Sequence, residues 1–522
     1  MLTYSLSDTG ADSLYLYLYK CIKNDILNGI LPSGTKLPSK RSFAKNLGVS
    51  NITVESSYGL LQSEGYIFSL PKRGFYVSDI AFAAVPRAKD GENPKPRTAP
   101  AGCFAADTAP GGNALQDTPS AACPRTVPQS AECTALPPVF ADFVTNHTTP
   151  ESFPFSIWAK LLRETISQKS DELMAAPPCG GIFELRSAIC AHLKQFRGME
   201  ICPEQVIVGA GTDYLYTMLI LLLGRDKIYA VENPGYTKIE KVYRSHGVDC
   251  RFVGMDACGI KIEDLNAQDA DIVHISPSHH YPTGIVTPVS RRYELLGWAA
   301  ARPLRYIIED DYDSEFRFAA HPMPTLQSID AAEKVIYMNT FTKSLASTIR
   351  ISYMVLPPHL LSRFYAELSF YSGTVSNFEQ YTLAKFIRGG YFEKHINRMR
   401  NYYRCVRDTL LAEIGNSPLA SCSKIAEESA GLHFILRINT TLPENELMAR
   451  VKRQGLRISC LSEYYHTKET AAAGNAKKPG GFIHTHALVM NYSGIRREDI
   501  KEAVRRLSKC VLAGQQRPFD DT

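Results

Sequence analysis

At 522 residues the chain is too long for one hydrophobic core, because cores stop growing at about 250–300 residues, so two or more domains are expected. With 44% hydrophobic and 21% charged residues it has an ordinary globular composition, and a net charge of +5 neither demands nor excludes nucleic acid. The thirteen cysteines form no C-x-x-C pair and no Cys/His cluster at zinc spacing, so neither a zinc site nor a disulfide framework is expected.

In chain order, Ser13–Asn28 carries Leu14, Leu18, Ile22 and Ile26 at helical spacing, and Gly29 stops that helix. Pro38 and Ser39 open a second helix over Lys40–Leu47, with Ser39 as N-cap. Gly48 makes a turn, and Ser50 caps a third helix over Asn51–Ser63. Two short helices about a glycine turn are a helix-turn-helix. Tyr66–Val77 then alternates as a hairpin, a wing whose tip carries Lys72 and Arg73. The third helix is expected to enter the major groove with Ser50, Asn51 and Thr53, while Arg41, Lys45, Lys72 and Arg73 meet phosphates. Glu55 lies on the same side and is expected to repel phosphate.

From about Ala81 to Pro138 the chain is rich in Pro, Ala, Gly, Ser and Thr, too poor in large apolar residues to offset its ordering entropy. The expected division is a DNA-binding domain over 1–79, a flexible linker over 80–138 with a reach on the order of 40 Å, and an α/β domain over 139–522.

In that last part the run Tyr214–Leu223 is too short and interrupted to span a bilayer and reads as a buried helix. With no signal-peptide pattern at the N-terminus, a cytoplasmic protein without membrane association is expected. The stretch Val206–Leu223 opens with a strand that runs into Gly209-Ala210-Gly211-Thr212, where the helix starts, a turn whose backbone N–H groups suit a phosphate. Tyr236 follows in Val231–Lys238 and suits either a ring stack or the core. His279 begins the stretch His279-His280-Tyr281-Pro282-Thr283-Gly284. The strand Tyr306–Ile308 ends in Glu309-Asp310-Asp311-Tyr312, a carboxylate cluster that suits a protonated pyridine nitrogen or a magnesium ion. The strand Val335–Met338 delivers Thr340, Thr342 and Lys343, with Arg350 seven residues on. An amine flanked by hydroxyls and a guanidinium is the donor set that pyridoxal 5'-phosphate (PLP) requires.

Two resemblances follow from these motifs. Gly34–Ala44, Gly48–Val54 and Leu61–Gly65 resemble the GntR-type winged helix. The order Gly-Thr turn, Pro-Gly-Tyr, Pro-Thr-Gly, Asp-x-Tyr, Lys, Arg resembles fold-type-I aminotransferases. The stretches S-H-H-Y-P-T-G, E-D-D-Y-D-S-E-F and T-F-T-K-S-L resemble the MocR/GabR-type regulators, in which both are fused. The resemblance implies PLP on Lys343, Asp310 at the pyridine nitrogen and Tyr312 at the phenolic oxygen, with His279 also among the cofactor-binding residues. It places Tyr236 against the ring and Gly211, Thr212, Thr340, Thr342 and Arg350 about the phosphate. It further implies a homodimer that binds operator DNA and responds to PLP or to an amine or amino acid that reacts with it. The alternative is a working aminotransferase with an appended DNA-binding domain. Against efficient transamination, the last strand, His486–Tyr492, carries no arginine to grip a substrate carboxylate, leaving Arg437 and Arg457 as candidate substitutes.

Overall fold

The computed structural model describes residues 4, 13–27, 29–63, 66–70, 74–78, 139–145, 152–317, 323–427, 431–466 and 484–512, all within one compact unit. Lys72, Arg73 and the segment 80–138 lie outside the described residues.

The N-terminal part holds helices Leu14–Leu27, Lys40–Leu47 and Asn51–Ser63 and an antiparallel hairpin, Ile67–Leu70 with Gly74–Val77. The caps expected from sequence are present. Ser39 Oγ accepts from the Ser42 N–H, and Ser50 Oγ accepts from the Thr53 N–H at 3.1 Å. Such caps each stabilise a short helix by about 1 kcal/mol. Leu18, Ile22 and Ile26 are buried as the spacing requires, but Leu14 is exposed and Tyr19 takes the fourth place in the core. The third helix packs inward through Val54, Tyr58 and Leu61, and the Tyr58 hydroxyl donates to the Pro38 carbonyl at 3.0 Å.

The large domain is built on an eight-stranded sheet. Its order is Val206–Gly209, Ser352–Val355, Val335–Thr340, Tyr306–Asp310, Ile272–Ile275, Ile228–Asn233, Asp249–Asp256, Gly259–Ile260. Ser352–Val355 and the terminal Gly259–Ile260 run antiparallel to the other six. Helices cover the sheet, so its central strands are buried throughout, as in Tyr306–Asp310 and Val335–Thr340. Both strands run on past the apolar residues that mark them in the sequence, to Asp310 and Thr340. Five parallel strands therefore end at one edge with Gly209, Thr340, Asp310, Ile275 and Asn233, the place where open α/β sheets hold ligands. The run Tyr214–Leu223 lies in the helix Thr212–Leu223, most of which is buried.

A second, four-stranded antiparallel sheet follows, ordered Ser423–Ala426, His433–Thr440, His484–Asn491, Ser459–Cys460. The last long strand thus begins two residues earlier and ends one earlier than the alternation suggests. No described helix is long and apolar enough to cross a membrane, and the ten described cysteines are free thiols.

Candidate functional site

The sheet edge draws together residues from segments far apart in the chain. Asp310 ends its strand almost fully buried. Its Oδ2 accepts from the Tyr216 hydroxyl at 2.7 Å and lies 3.5 Å from His274 Nε2. His274 Nδ1 is in turn 2.7 Å from the Tyr243 hydroxyl. Burial pushes both phenols well above their ordinary range, so they stay protonated as donors. Asp310 Oδ1 is buried and has no hydrogen-bond partner among the described residues. An unsatisfied buried carboxylate oxygen costs about 1–3 kcal/mol or more, which a cationic ring nitrogen would offset. Asp310 therefore fits the pyridine end of PLP.

Lys343 sits in the short helical turn Phe341–Ser344 directly after the strand Val335–Thr340. Burial lowers its amine below the ordinary lysine range, opposed by the charges of Asp313 and Asp310. A lysine so placed is held at the sheet edge with a larger fraction of nucleophilic neutral amine than a surface lysine has.

In the expected phosphate cradle the hydroxyls bond to one another and the guanidinium lies against Gly211. Thr340 Oγ1 accepts from the Thr342 N–H at 3.1 Å and donates to Thr342 Oγ1 at 2.9 Å, and Ser352 Oγ donates to it at 2.8 Å. Gly211 has a φ of +88° and precedes the first turn of Thr212–Leu223. A side chain at Gly211 would collide with the guanidinium of Arg350, so only glycine keeps the N-terminal N–H groups open beside that charge. Arg350 is half exposed, with Asp213 Oδ2 3.4 Å away, and Asp213 is held more closely by Lys238 at 2.6 Å. Tyr236 stands edge-on to Tyr281 with 47% of its surface exposed.

Tyr312 and His279 form a third group. The Tyr312 hydroxyl donates to the His279 carbonyl at 2.9 Å, and His279 Nδ1 lies 2.9 Å from Asp313 Oδ2. His433, from the second sheet, lies tilted against His279 with ring centroids 4.3 Å apart. Gly431 runs so close to the His279 ring that no side chain would fit there. His279, Asp313 and His433 are the one group of three metal-capable side chains drawn together among the described residues. The His279–Asp313 bond and the neighbouring Lys343 charge suit an orienting pair better than a cation site.

Sequence reasoning missed Tyr216, Tyr243, His274, Asp313, His433 and Glu232. Tyr216, one helical turn after Thr212, and Asp313, next to Tyr312 in the quoted motif, were detectable; the others come from elements whose proximity is non-local. Glu232 is buried, accepts from the Ser276 N–H at 3.0 Å and lies 3.4 Å from His280 Nε2. Burial pushes its carboxyl up to about 8 and the His280 imidazole down to about 3, so at neutral pH both are uncharged. An unfolded glutamate titrates near 4.3, so the folded state holds the proton more tightly and stability falls as pH rises from about 4.5 towards 8. Glu232→Gln, which mimics the protonated acid, is expected to raise the melting temperature at pH 8. The gain corresponds to a few kcal/mol at most, shrinks as pH falls and vanishes below about pH 4. Melting curves across that range check this, and a pH-independent difference would refute it.

On the DNA-binding part, Arg41, Lys45, Ser50 and Asn51 are exposed and Thr53 is half-buried, bonded to Ser50 through their hydroxyls at 2.8 Å. Glu55 is exposed and pairs with Lys40 at 2.7 Å, a surface ion pair that the sequence reading did not include. Arg437 and Arg457 are exposed, and Arg457 pairs with Asp142 at 3.3 Å.

Residues 14–77 match the model of bacterial regulatory proteins of the gntR family, and residues 146–454 match aminotransferase class I and II. The uncharacterised HTH-type transcriptional regulator YdeL of Bacillus subtilis is 34% identical over 95% of this chain and 96% of its own. The probable rhizopine catabolism regulatory protein MocR of Rhizobium meliloti is 30% identical over 97% and 95%. Among solved structures, the multiple substrate aminotransferase of Thermococcus profundus superposes with a TM-score of 0.62 at 21% identity, covering 72% of this chain and 92% of that one. Head, sheet edge and full-length relatives agree: the chain belongs to the MocR-type transcription regulators, a GntR-family DNA-binding head joined to an aminotransferase-like, PLP-dependent domain.

Proposed function

We propose that the sheet edge about Lys343 is the sensory site of this regulator and that residues 14–77 carry its response to DNA. The observation that carries the reading is the buried Oδ1 of Asp310, without a hydrogen-bond partner among the described residues, in a carboxylate whose charge acts on Lys343. When bound, PLP supplies an electrophilic aldehyde carbon that condenses with primary amines. Lys343 provides the resident amine, and Asp310, oriented by Tyr216 and His274, holds the ring nitrogen. Tyr312 would meet the phenolic oxygen with His279 beside it, and Tyr236 would lie against the ring. Gly211, Thr212, Thr340, Thr342 and Arg350 would hold the phosphate. A small amine or amino acid that competes with Lys343 for the aldehyde would be the effector. The absence of an arginine from His484–Asn491 favours sensing over turnover.

We place the protein in the cytoplasm as a homodimer, so that two heads engage two operator half-sites and gain by effective concentration. The test is binding to the DNA upstream of its own gene, with and without PLP, alongside light scattering of the same samples. A PLP-dependent change in affinity by a dimer is expected. Unchanged affinity in protein whose visible spectrum shows bound PLP, or a monomer that binds as tightly, would overturn the reading.

A further inference from the structure

The core of the winged helix does not close on itself. Its buried cluster, which includes Ile22, Phe43, Tyr58 and Val77, continues into Val289 and Met323 of the large domain, with Val286 and Tyr293 packed against it. Val286 and Val289 end the loop that begins with His279, His280 and Tyr281, and Val289 and Tyr293 lie one turn apart on the helix Val289–Ala300. The apolar seat of the DNA-binding head is therefore the far end of a segment whose near end lies at the site.

The strand Tyr306–Asp310 connects to the same seat. Successive side chains of a strand point to opposite faces. Asp310 points to Tyr216 and His274, while Glu309 and Asp311 are sent to the other side, where each meets a buried arginine. Arg292, fully buried on the helix that carries Val289 and Tyr293, lies 3.4 Å from Glu309. It also donates to the carbonyls of Pro277 at 2.8 Å, Thr287 at 3.1 Å and Pro324 at 3.1 Å. Glu309 accepts from the N–H groups of Leu326 and Gln327 at 2.9 and 3.0 Å. Arg197 pairs with Asp311 and donates to the carbonyl of Met323 itself at 3.4 Å. Both segments that form the seat, 286–293 and 323–327, are thus fastened by buried charge to the residues on either side of Asp310. Removing either partner of such a pair leaves an uncompensated buried charge, so the fastenings do not slip independently.

The geometry points to a clamp: the pairs Arg292–Glu309 and Arg197–Asp311 make the Val286–Val289–Tyr293–Met323 seat of the winged helix follow the position of Asp310, so that loading the Lys343 site resets the seating of the DNA-binding head. This rests on the reading of Lys343 as the PLP site. It requires that PLP favour one position of the strand end over another, because a ligand shifts an equilibrium only by its differential affinity.

The test is amide hydrogen exchange of the full-length protein with and without PLP, read in the helices Leu14–Leu27 and Asn51–Ser63. In the wild type, PLP is expected to change exchange in these helices by about fivefold or more, the lower range of allosteric coupling. In Val289→Ala/Met323→Ala the visible PLP band should persist while that change disappears. Glu309→Gln, which keeps an acceptor for Leu326 but removes the charge facing Arg292, should reduce the change several-fold with the band intact, and serves if the double variant does not fold. A missing band in the wild type would overturn the reading of the site. A normal band with no response in these helices, or a response that persists undiminished in the variants, would overturn the clamp.

Discussion

Lys343→Ala is expected to abolish the visible absorbance of protein-bound PLP and its covalent trapping by borohydride, from stoichiometric labelling to none. Lys343 is held at the end of Val335–Thr340, with its amine partly neutralised by burial and within the field of Asp313 and Asp310. Lys238, also beside the phosphate cradle, is tied to Asp213 at 2.6 Å and offers no equivalent amine. Lys238→Ala should accordingly leave the absorbance in place. Because the caps and core of the head do not involve Lys343, Lys343→Ala should retain non-specific DNA binding. A normal spectrum in Lys343→Ala would show the assignment to be wrong.

The second large effect is expected on the head. Arg41 is exposed at the start of its helix, and Arg73 belongs to the wing motif. Each is assigned to a phosphate, so Arg41→Ala/Arg73→Ala should weaken binding to specific and random duplexes alike. The log–log dependence of affinity on salt should become shallower by about two units, one for each phosphate no longer neutralised. Asn51→Ala should behave differently: an amide reading a base edge contributes about 1–3 kcal/mol of discrimination, so specific binding falls towards the non-specific level with the salt slope nearly unchanged. Anisotropy titrations across salt concentrations separate the two. An unaltered slope in the double variant would rule out this docking.

What was legible in the sequence was local. Ser39, Gly48 and Ser50 could be placed because capping and turn chemistry act over three or four residues, and the helices begin where those residues put them. Lys343, Asp310 and Gly211 could be located because each follows an apolar strand, and strand ends converge in an α/β sheet. The surroundings of these residues were not legible. His274 reaches Asp310 from a neighbouring strand, and His433 comes from a separate sheet more than 100 positions after His279. Lys40 offsets Glu55 across a helix–helix contact that spacing along one helix cannot show. The fourth core position of the first helix went to Tyr19 rather than Leu14, because the face is chosen by what packs against it.

The alternation Glu309, Asp310, Asp311 also bears on how such a protein can change over time. Surface loops absorb insertions and deletions because their ends need only meet, but a strand has a side-chain period of two. Deletion or insertion of one residue between Tyr306 and Tyr312 would exchange the faces, carrying Asp310 towards Arg197 and Arg292 and turning an arginine-bound acid towards Tyr216 and His274. Both halves of the molecule would fail together. Point substitutions can therefore retune the site or the head separately, whereas length variation along this lineage should be confined to other segments and absent from these seven residues.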